Sequence, residues 1–338
     1  MTSEGKVRVA INGFGRIGRA AFKIALARED VEVVAINDLG NADNLAYLLR
    51  YDSVYGRYGF AVSAETGKLV VGEASVVTVQ EREPAKLPWK QMNIDVVIES
   101  TGVFTDEAGA RGHIEAGAKR VIISAPADDD EVATVIAGVN DDELSGKEIV
   151  SNASCTTNSV APVVAVLDAA LGIEKALLTT VHAYTATQSL VDGPATKDMR
   201  RGRAAAANIV PSSTGAAVAA TKAYTKLAGK FDGVALRVPV PCVSISDFTM
   251  LVKKKTTAED VNRILSEAAQ EERLRDILAV TNEPVVSTDF IGDPHSAIVD
   301  LAVTRVVGGD LVKVMAWYDN EWGYSNRLVE QAVALGRN

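Results

Sequence analysis

Two cysteines and three histidines are all that 338 residues offer for thiol and imidazole chemistry. Cys155 stands in Ser151-Asn152-Ala153-Ser154-Cys155-Thr156-Thr157-Asn158, a polar cluster followed by the apolar run Ser159 to Leu171. That order reads as a thiol at the start of a helix. Unpaired backbone N–H groups and the positive end of the helix dipole favour thiolate, and such settings bring a cysteine from about 8.5 to roughly 3.5–7.5 in pKa. A small cysteine can equally just pack in a helix start, so its standing as a nucleophile depends on partners elsewhere. His182 is the best candidate base: it follows the strand-like run Ala176 to Val181 and opens a long polar loop reaching Pro211. His113 falls in a predicted surface helix, and His295 in the turn-like Gly292-Asp293-Pro294-His295. Carboxyl ends of strands are where α/β proteins gather reactive side chains.

A second chemistry is written near the start of the chain. Gly13-Phe14-Gly15-Arg16-Ile17-Gly18 follows a predicted strand and opens a predicted helix, and Asp38 ends the next strand. Gly13 permits the tight turn, Gly15 lets a pyrophosphate approach the backbone, and Gly18 allows close helix–strand packing. Asp38 is placed to hydrogen-bond ribose hydroxyls, and its carboxylate would repel a 2′-phosphate. No arginine or lysine follows in Leu39-Gly40-Asn41, so NAD is expected rather than NADP.

These groups need a scaffold, and the apolar patterning describes one. Strand-like and helical runs alternate through Val7–Asn12, Ile17–Ala27, Val31–Ile36, Asn44–Leu49, Ile94–Glu99, Asp106–Ala116 and Arg120–Ser124. Such alternation predicts βαβ units and a parallel sheet. Between Phe60 and Val79, β-rich stretches broken by Glu65-Thr66-Gly67-Lys68 predict a hairpin insertion. After the Cys155 helix, strand candidates at 176–181, 234–240, 246–253, 297–304 and 311–317 suit an α+β domain with a largely antiparallel sheet. The fold class is therefore α/β plus α+β, with an N-terminal Rossmann domain. The polar stretch from His182 to Pro211 is too long for a simple connection, and long ordered loops usually serve function.

Composition narrows the class further. With 47% hydrophobic and 23% charged residues, the chain is globular and long enough for two cores. No secretory or transmembrane-length apolar run is visible, so a cytoplasmic location is expected. One of only two cysteines is a candidate nucleophile, which disfavours a disulfide framework, and no paired cysteine motif suggests zinc. A net charge of −9 argues against nucleic acid or anionic membrane as a primary partner.

Six segments then carry a resemblance: Ile11-Asn12-Gly13-Phe14-Gly15-Arg16-Ile17-Gly18-Arg19, Ala153-Ser154-Cys155-Thr156-Thr157-Asn158, Thr180-Val181-His182-Ala183-Tyr184-Thr185, Ser213-Thr214-Gly215-Ala216-Ala217, Arg237-Val238-Pro239-Val240 and Trp317-Tyr318-Asp319-Asn320-Glu321-Trp322-Gly323-Tyr324-Ser325. Nearly end to end, the chain resembles the phosphorylating glyceraldehyde-3-phosphate dehydrogenases of glycolysis and gluconeogenesis. The resemblance implies an NAD-binding domain over 1–151, a catalytic domain over 152–318 and a C-terminal helix within 319–338 returning to the first domain. It implies that Cys155 attacks the aldehyde of glyceraldehyde 3-phosphate with His182 as base, and that inorganic phosphate resolves the thioester. By motif position, Thr185 and Arg237 hold the substrate phosphate, with Arg203 assisting, while Ser154, Thr156, Thr214 and Gly215 hold the attacking phosphate. Asn320 and Tyr324 fall on the nicotinamide side, and Arg16, Ile17, Asp38, Arg82 and Ser124 complete the NAD contacts. A homotetramer is implied, with the 182–211 loop near a neighbouring subunit's cofactor.

The sequence departs from the family at three places. Ser159 stands where a second cysteine is frequent, Ala186-Thr187 replace an Asn-Asp pair common in bacterial members, and Cys242 takes a position more often asparagine or another small polar residue. Three other readings stay open at this stage. An erythrose-4-phosphate dehydrogenase would share the scaffold but let water resolve the thioester; a binding protein could keep the fold for RNA or surface adhesion; a peroxide sensor would use Cys155 yet leave Asp38 and Arg237 unexplained.

Overall fold

The computed structural model describes residues 5–195 and 198–338, which form two compact units. The first comprises 5–135, Asp141–Ala153 and Ser325–Asn338, and the second Ile136–Asn140 with Ser154–Tyr324.

The first unit is built on one nine-stranded sheet. Its strands are β1 (Val7–Asn12), β2 (Val31–Asn37), β3 (Val62–Glu65), β4 (Lys68–Val71), β5 (Ala74–Val79), β6 (Val96–Glu99), β7 (Arg120–Ile123), β8 (Ala133–Thr134) and β9 (Ile149–Ser151). They lie in the order β8-β9-β7-β6-β1-β2-β5-β4-β3. The central pairings are parallel, with α1 (Arg16–Leu26) crossing from β1 to β2. The Phe60–Val79 stretch folds as an antiparallel meander, because β5 turns back to pair in parallel with β2. Every residue of β6 is buried, as a strand covered on both faces demands. Register sets Asn37, Asn12 and Glu99 side by side at the carboxyl ends of β2, β1 and β6. The following helices are α2 (Ala42–Arg50) and α3 (Glu107–Glu115). His113, expected on a surface helix, sits on α3 but is 0% exposed, because its ring fills the core beside Trp89 and Phe104.

In the second unit, α4 (Cys155–Leu171) leads into β10 (Ile173–Ala183), β11 (Val210–Ser213), β12 (Phe231–Val238), β13 (Ser244–Val252), β14 (Leu278–Thr281), β15 (Ala297–Asp300), β16 (Arg305–Val307) and β17 (Leu311–Tyr318). The sheet runs β11-β12-β10-β13-β17-β15-β14, with β16 also on β17. Only β10–β12 and β14–β15 pair in parallel, so the sheet is largely antiparallel. Three strand expectations need correction. His182 lies inside β10 instead of after it, β12 begins and ends before its expected bounds, and β15 stops at Asp300 where the chain coils into a 3-10 turn. The helices α5 (Ala216–Ala223) and α6 (Ala258–Ala268) complete this unit, and α7 (Trp322–Arg337) ends the chain. Among the described residues, no helix is long and apolar enough to cross a membrane.

Candidate active site

The first unit carries a cleft of about 350 Å³ at the carboxyl ends of its central strands, lined by Asn12, Gly13, Gly15, Asp38, Arg82 and Thr101 among others. Gly13 adopts φ +92°, and a Cβ there would sit 2.7 Å from the backbone of Ser100 and Thr101. Gly18 is required by contact, since its Cβ would lie 2.1 Å from the Gly13 carbonyl oxygen. Nothing stands within 4 Å of where a Gly15 Cβ would be, so a ligand can reach the backbone. Gly15 is also the N-cap of α1, whose first turn has neither a side-chain cap nor an acid. The N-terminus of such a helix suits a pyrophosphate. The Asp38 carboxylate accepts 2.7 Å hydrogen bonds from the backbone N–H groups of Phe14 and Gly40, and a carboxylate keeps further lone pairs for ribose hydroxyls. The cleft therefore fits a dinucleotide.

The second unit brings together residues distant in sequence. Ser154 caps α4 by accepting from the Thr157 N–H at 3.1 Å, which starts the helix at Cys155. Ala153, just before the cap, holds φ +51°, a costly value for a residue with a Cβ. Parallel pairing of β10 with β12 places His182 opposite Arg237. Cys155 Sγ lies 3.5 Å from His182 Nε2, and Arg237 Nη1 lies 2.6 Å from His182 Nδ1. The Ala183 carbonyl oxygen competes for that nitrogen at 2.7 Å, and itself takes an Arg237 N–H at 3.0 Å. With Nδ1–H on the carbonyl, Nε2 is the bare acceptor facing the thiol.

Electrostatics act in opposing directions on the sulfur. Burial pushes the Cys155 thiol up, while the Arg237 charge and the Thr156 donors pull it down. Burial, and then the Arg237 charge, hold His182 down to about 3. Desolvation thus favours an uncharged thiol–imidazole pair, and the α4 N-terminus acts the other way. The expected depression of the thiol by its helix start is countered by burial. In the tautomer with Nδ1–H on the Ala183 carbonyl, neutral His182 presents Nε2 to the thiol as an acceptor.

The remaining sequence-predicted residues divide. Thr156 is buried with its hydroxyl 2.8 Å from Tyr318 Oη. Thr214 and Gly215 form the N-terminus of α5, where the Thr214 hydroxyl accepts from the Ala216 N–H. Thr185 contacts Thr187 at 2.9 Å across their hydroxyls. Arg203 is not with the thiol cluster: its guanidinium pairs with Asp192 at 2.8 Å. Asn320 is buried and accepts from Ser244 Oγ, which in turn accepts from the Ala183 N–H. Tyr324 is buried, and desolvation raises its hydroxyl pKa. In the first unit Arg16 pairs with Asp52 at 2.6 Å, and Arg16, Ile17, Gly18 and Ser124 do not line the cleft. Ser124 follows β7 and donates its N–H to the Glu99 carbonyl.

Two residues were missed. Tyr318 Oη bridges Thr156 and Thr180 while its ring stands edge-on to His182 at 6.0 Å; its place at the end of an alternating strand was the available signal. Arg201 exerts a charge effect on both His182 and Arg237 and is fixed by Ser212 Oγ. No spacing rule distinguishes it from Arg200 and Arg203 beside it. Cys242, one of the departures, donates its thiol to Asp319 at 3.2 Å, which explains how a cysteine serves in a polar place.

Residues 7–107 match the family profile described as glyceraldehyde 3-phosphate dehydrogenase, NAD binding domain, and residues 154–320 match that of the C-terminal domain. The chain is 52% identical over 340 residues to a glyceraldehyde-3-phosphate dehydrogenase of Mycobacterium avium, covering 98% of this chain and 99% of that protein. It is 51% identical to that of Mycobacterium tuberculosis (strain ATCC 25618 / H37Rv) over the same shares. Identity is also 51% to glyceraldehyde-3-phosphate dehydrogenase 1 of Streptomyces avermitilis, over 98% of each. The cofactor is accordingly NAD. Two matched domains and near-complete coverage place this chain in the glyceraldehyde-3-phosphate dehydrogenase family.

Proposed function

We propose that the chain oxidises D-glyceraldehyde 3-phosphate to 1,3-bisphosphoglycerate with NAD and inorganic phosphate. The observation that carries this is Cys155 Sγ 3.5 Å from His182 Nε2, beside a guanidinium able to hold a phosphate. The Cys155 sulfur adds to the aldehyde carbon as its proton passes to His182 Nε2, and the carbonyl π pair moves onto oxygen, which takes that proton back from Nε2 to give a thiohemiacetal and a neutral imidazole. NAD, when bound, takes up the hydride that leaves this carbon. Loss of hydride leaves a thioester on Cys155, while His182 takes the hydroxyl proton. A phosphate oxygen then attacks the acyl carbon, the C–S bond breaks, and the sulfur regains its electron pair.

In this reading Thr185 and Arg237 hold the substrate phosphate, and Ser154, Thr156, Thr214 and Gly215 hold the attacking one. Arg203 assists after exchanging Asp192 for an anion. Gly13, Gly15, Gly18, Asp38 and Arg82 hold NAD with Arg16, Ile17 and Ser124, and Asn320 and Tyr324 serve the nicotinamide. The domains divide the work as 1–151 for NAD, 152–318 for catalysis and 319–338 as the helix returning to the first. A homotetramer in the cytoplasm completes the proposal. Support for association comes from apolar surface on the second unit, where Leu177 on β10 is 64% and Val218 on α5 52% exposed beside a groove of about 690 Å³.

The test is NADH formation from glyceraldehyde 3-phosphate and NAD, with and without inorganic phosphate. Strong phosphate dependence is expected. Equal turnover without phosphate would overturn acyl transfer to phosphate and favour the erythrose-4-phosphate type of reaction.

A further inference from the structure

Glu99 ends β6 beneath the dinucleotide cleft and is 1% exposed. Its Oε2 accepts from Asn12 Nδ2 at 2.5 Å and faces His113 Nε2 at 3.0 Å. Its Oε1 accepts from the Thr101 N–H at 2.8 Å and from Thr101 Oγ1 at 2.5 Å. The proton on His113 can be located from its other nitrogen. Trp89 Nε1 lies 3.0 Å from His113 Nδ1, and an indole N–H can only donate, so Nδ1 is the bare acceptor and Nε2 carries the hydrogen. The ring is therefore a neutral donor to Glu99, and among the described residues no lysine or arginine pairs with this carboxylate. Four donors surround an acceptor, and they belong to β1, the turn after β6, and α3.

From Asn12 the bonding continues toward a third segment. Asn37 Nδ2 donates to Asn12 Oδ1 at 2.6 Å, and Asn37 is fixed by two 2.8 Å bonds to the Glu81 backbone. Asn12, Asn37, Glu81 and Thr101 all line the cleft, whereas Glu99, His113 and Trp89 do not.

We infer that Glu99 is a positioning residue for the dinucleotide: one buried carboxylate sets the Asn12 amide and the Thr101 backbone, with His113 and Trp89 holding it from behind. This rests on the cleft being the NAD site. An isosteric amide cannot replace the carboxylate, because its NH2 would face either the Thr101 donors or those of Asn12 and His113. The positions of three cleft segments then relax together, and cofactor affinity falls although no atom that touches the cofactor has been removed.

The experiment measures NAD binding calorimetrically, together with KM for NAD, kcat at saturating NAD and the rate of Cys155 alkylation by iodoacetamide. Glu99→Gln should raise Kd and KM for NAD by roughly tenfold or more, with kcat and alkylation within about twofold. The remote pair His113→Leu and His113→Gln provides a second reading if Glu99→Gln does not fold. Leucine should weaken NAD binding, and glutamine, which can donate in place of Nε2, should restore it. A wild-type protein that does not bind NAD would refute the cleft assignment itself. Wild-type binding with an unchanged Kd in Glu99→Gln would overturn the positioning role alone, as would equal weakening by both His113 variants. Parallel loss of kcat, alkylation and NAD binding would mean general disruption and would also overturn it.

Discussion

His113 on α3 and His182 near the end of β10 are both buried imidazoles, yet their surroundings differ in one respect. Around His113 the Trp89 indole N–H is the one group bonded to Nδ1, which leaves Nε2 to donate to the Glu99 carboxylate at 3.0 Å, with the Asn12 amide nitrogen farther away at 3.3 Å. Around His182, a carbonyl oxygen at 2.7 Å and a guanidinium at 2.6 Å compete for Nδ1, and a thiol faces Nε2. A ring whose neighbours permit one tautomer is fixed. A ring whose neighbours permit two can move its proton between its nitrogens with little rearrangement, and that freedom lets Nε2 become the acceptor a base needs.

The contrast can be tested by removing partners in turn. Cys155→Ala should reduce turnover more than about thousandfold while leaving calorimetric NAD binding intact; substantial residual turnover would rule out covalent chemistry. His182→Asn should slow the acylation burst by about 10²–10⁴-fold, and a stopped-flow burst as fast as wild type would remove His182 from the base role. His113→Leu should leave kcat at saturating NAD near wild type but lower unfolding stability in urea by about 1.5–3 kcal/mol, since a buried carboxylate loses a donor. The smallest effect is a displacement along the pH axis. Arg237 lowers the Cys155 pKa, so Arg237→Gln should move the rise of iodoacetamide reactivity to higher pH, and movement to lower pH would show that the guanidinium charge does not act on the sulfur.

Much of the dinucleotide unit was legible because its determinants are local. The contact of Gly18 with the Gly13 carbonyl joins residues only a few positions apart, and strand–helix alternation reports a parallel sheet, whereas the packing of Gly13 on Ser100 and Thr101 is long-range and was not legible. The thiol cluster was legible only as separate candidates, since pairing Cys155 with His182 and Arg237 depends on how β10 and β12 align. The resemblance named those residues, whereas it gave Tyr318 no role although one of its segments contains it, and Arg201 lies outside those segments. Burial of His113 could not be read either. Its helix carries only three apolar side chains, Ala108, Ala110 and Ile114, and the inward position of His113 depends on its tertiary contact with Trp89. The helix α6 carries a local signal as well: Thr257 caps it by accepting from the Asp260 N–H, and Glu259 and Asp260 fill the first turn.

Cys155 is partly accessible and Cys242 is buried with its thiol on Asp319. The two sulfurs therefore form a built-in counter. A mild thiol reagent applied to native protein should consume one equivalent per chain, and in denaturant two. Native consumption below one equivalent reports oxidation at the working sulfur, and consumption above one reports chains unfolded enough to expose Cys242, without any substrate being added.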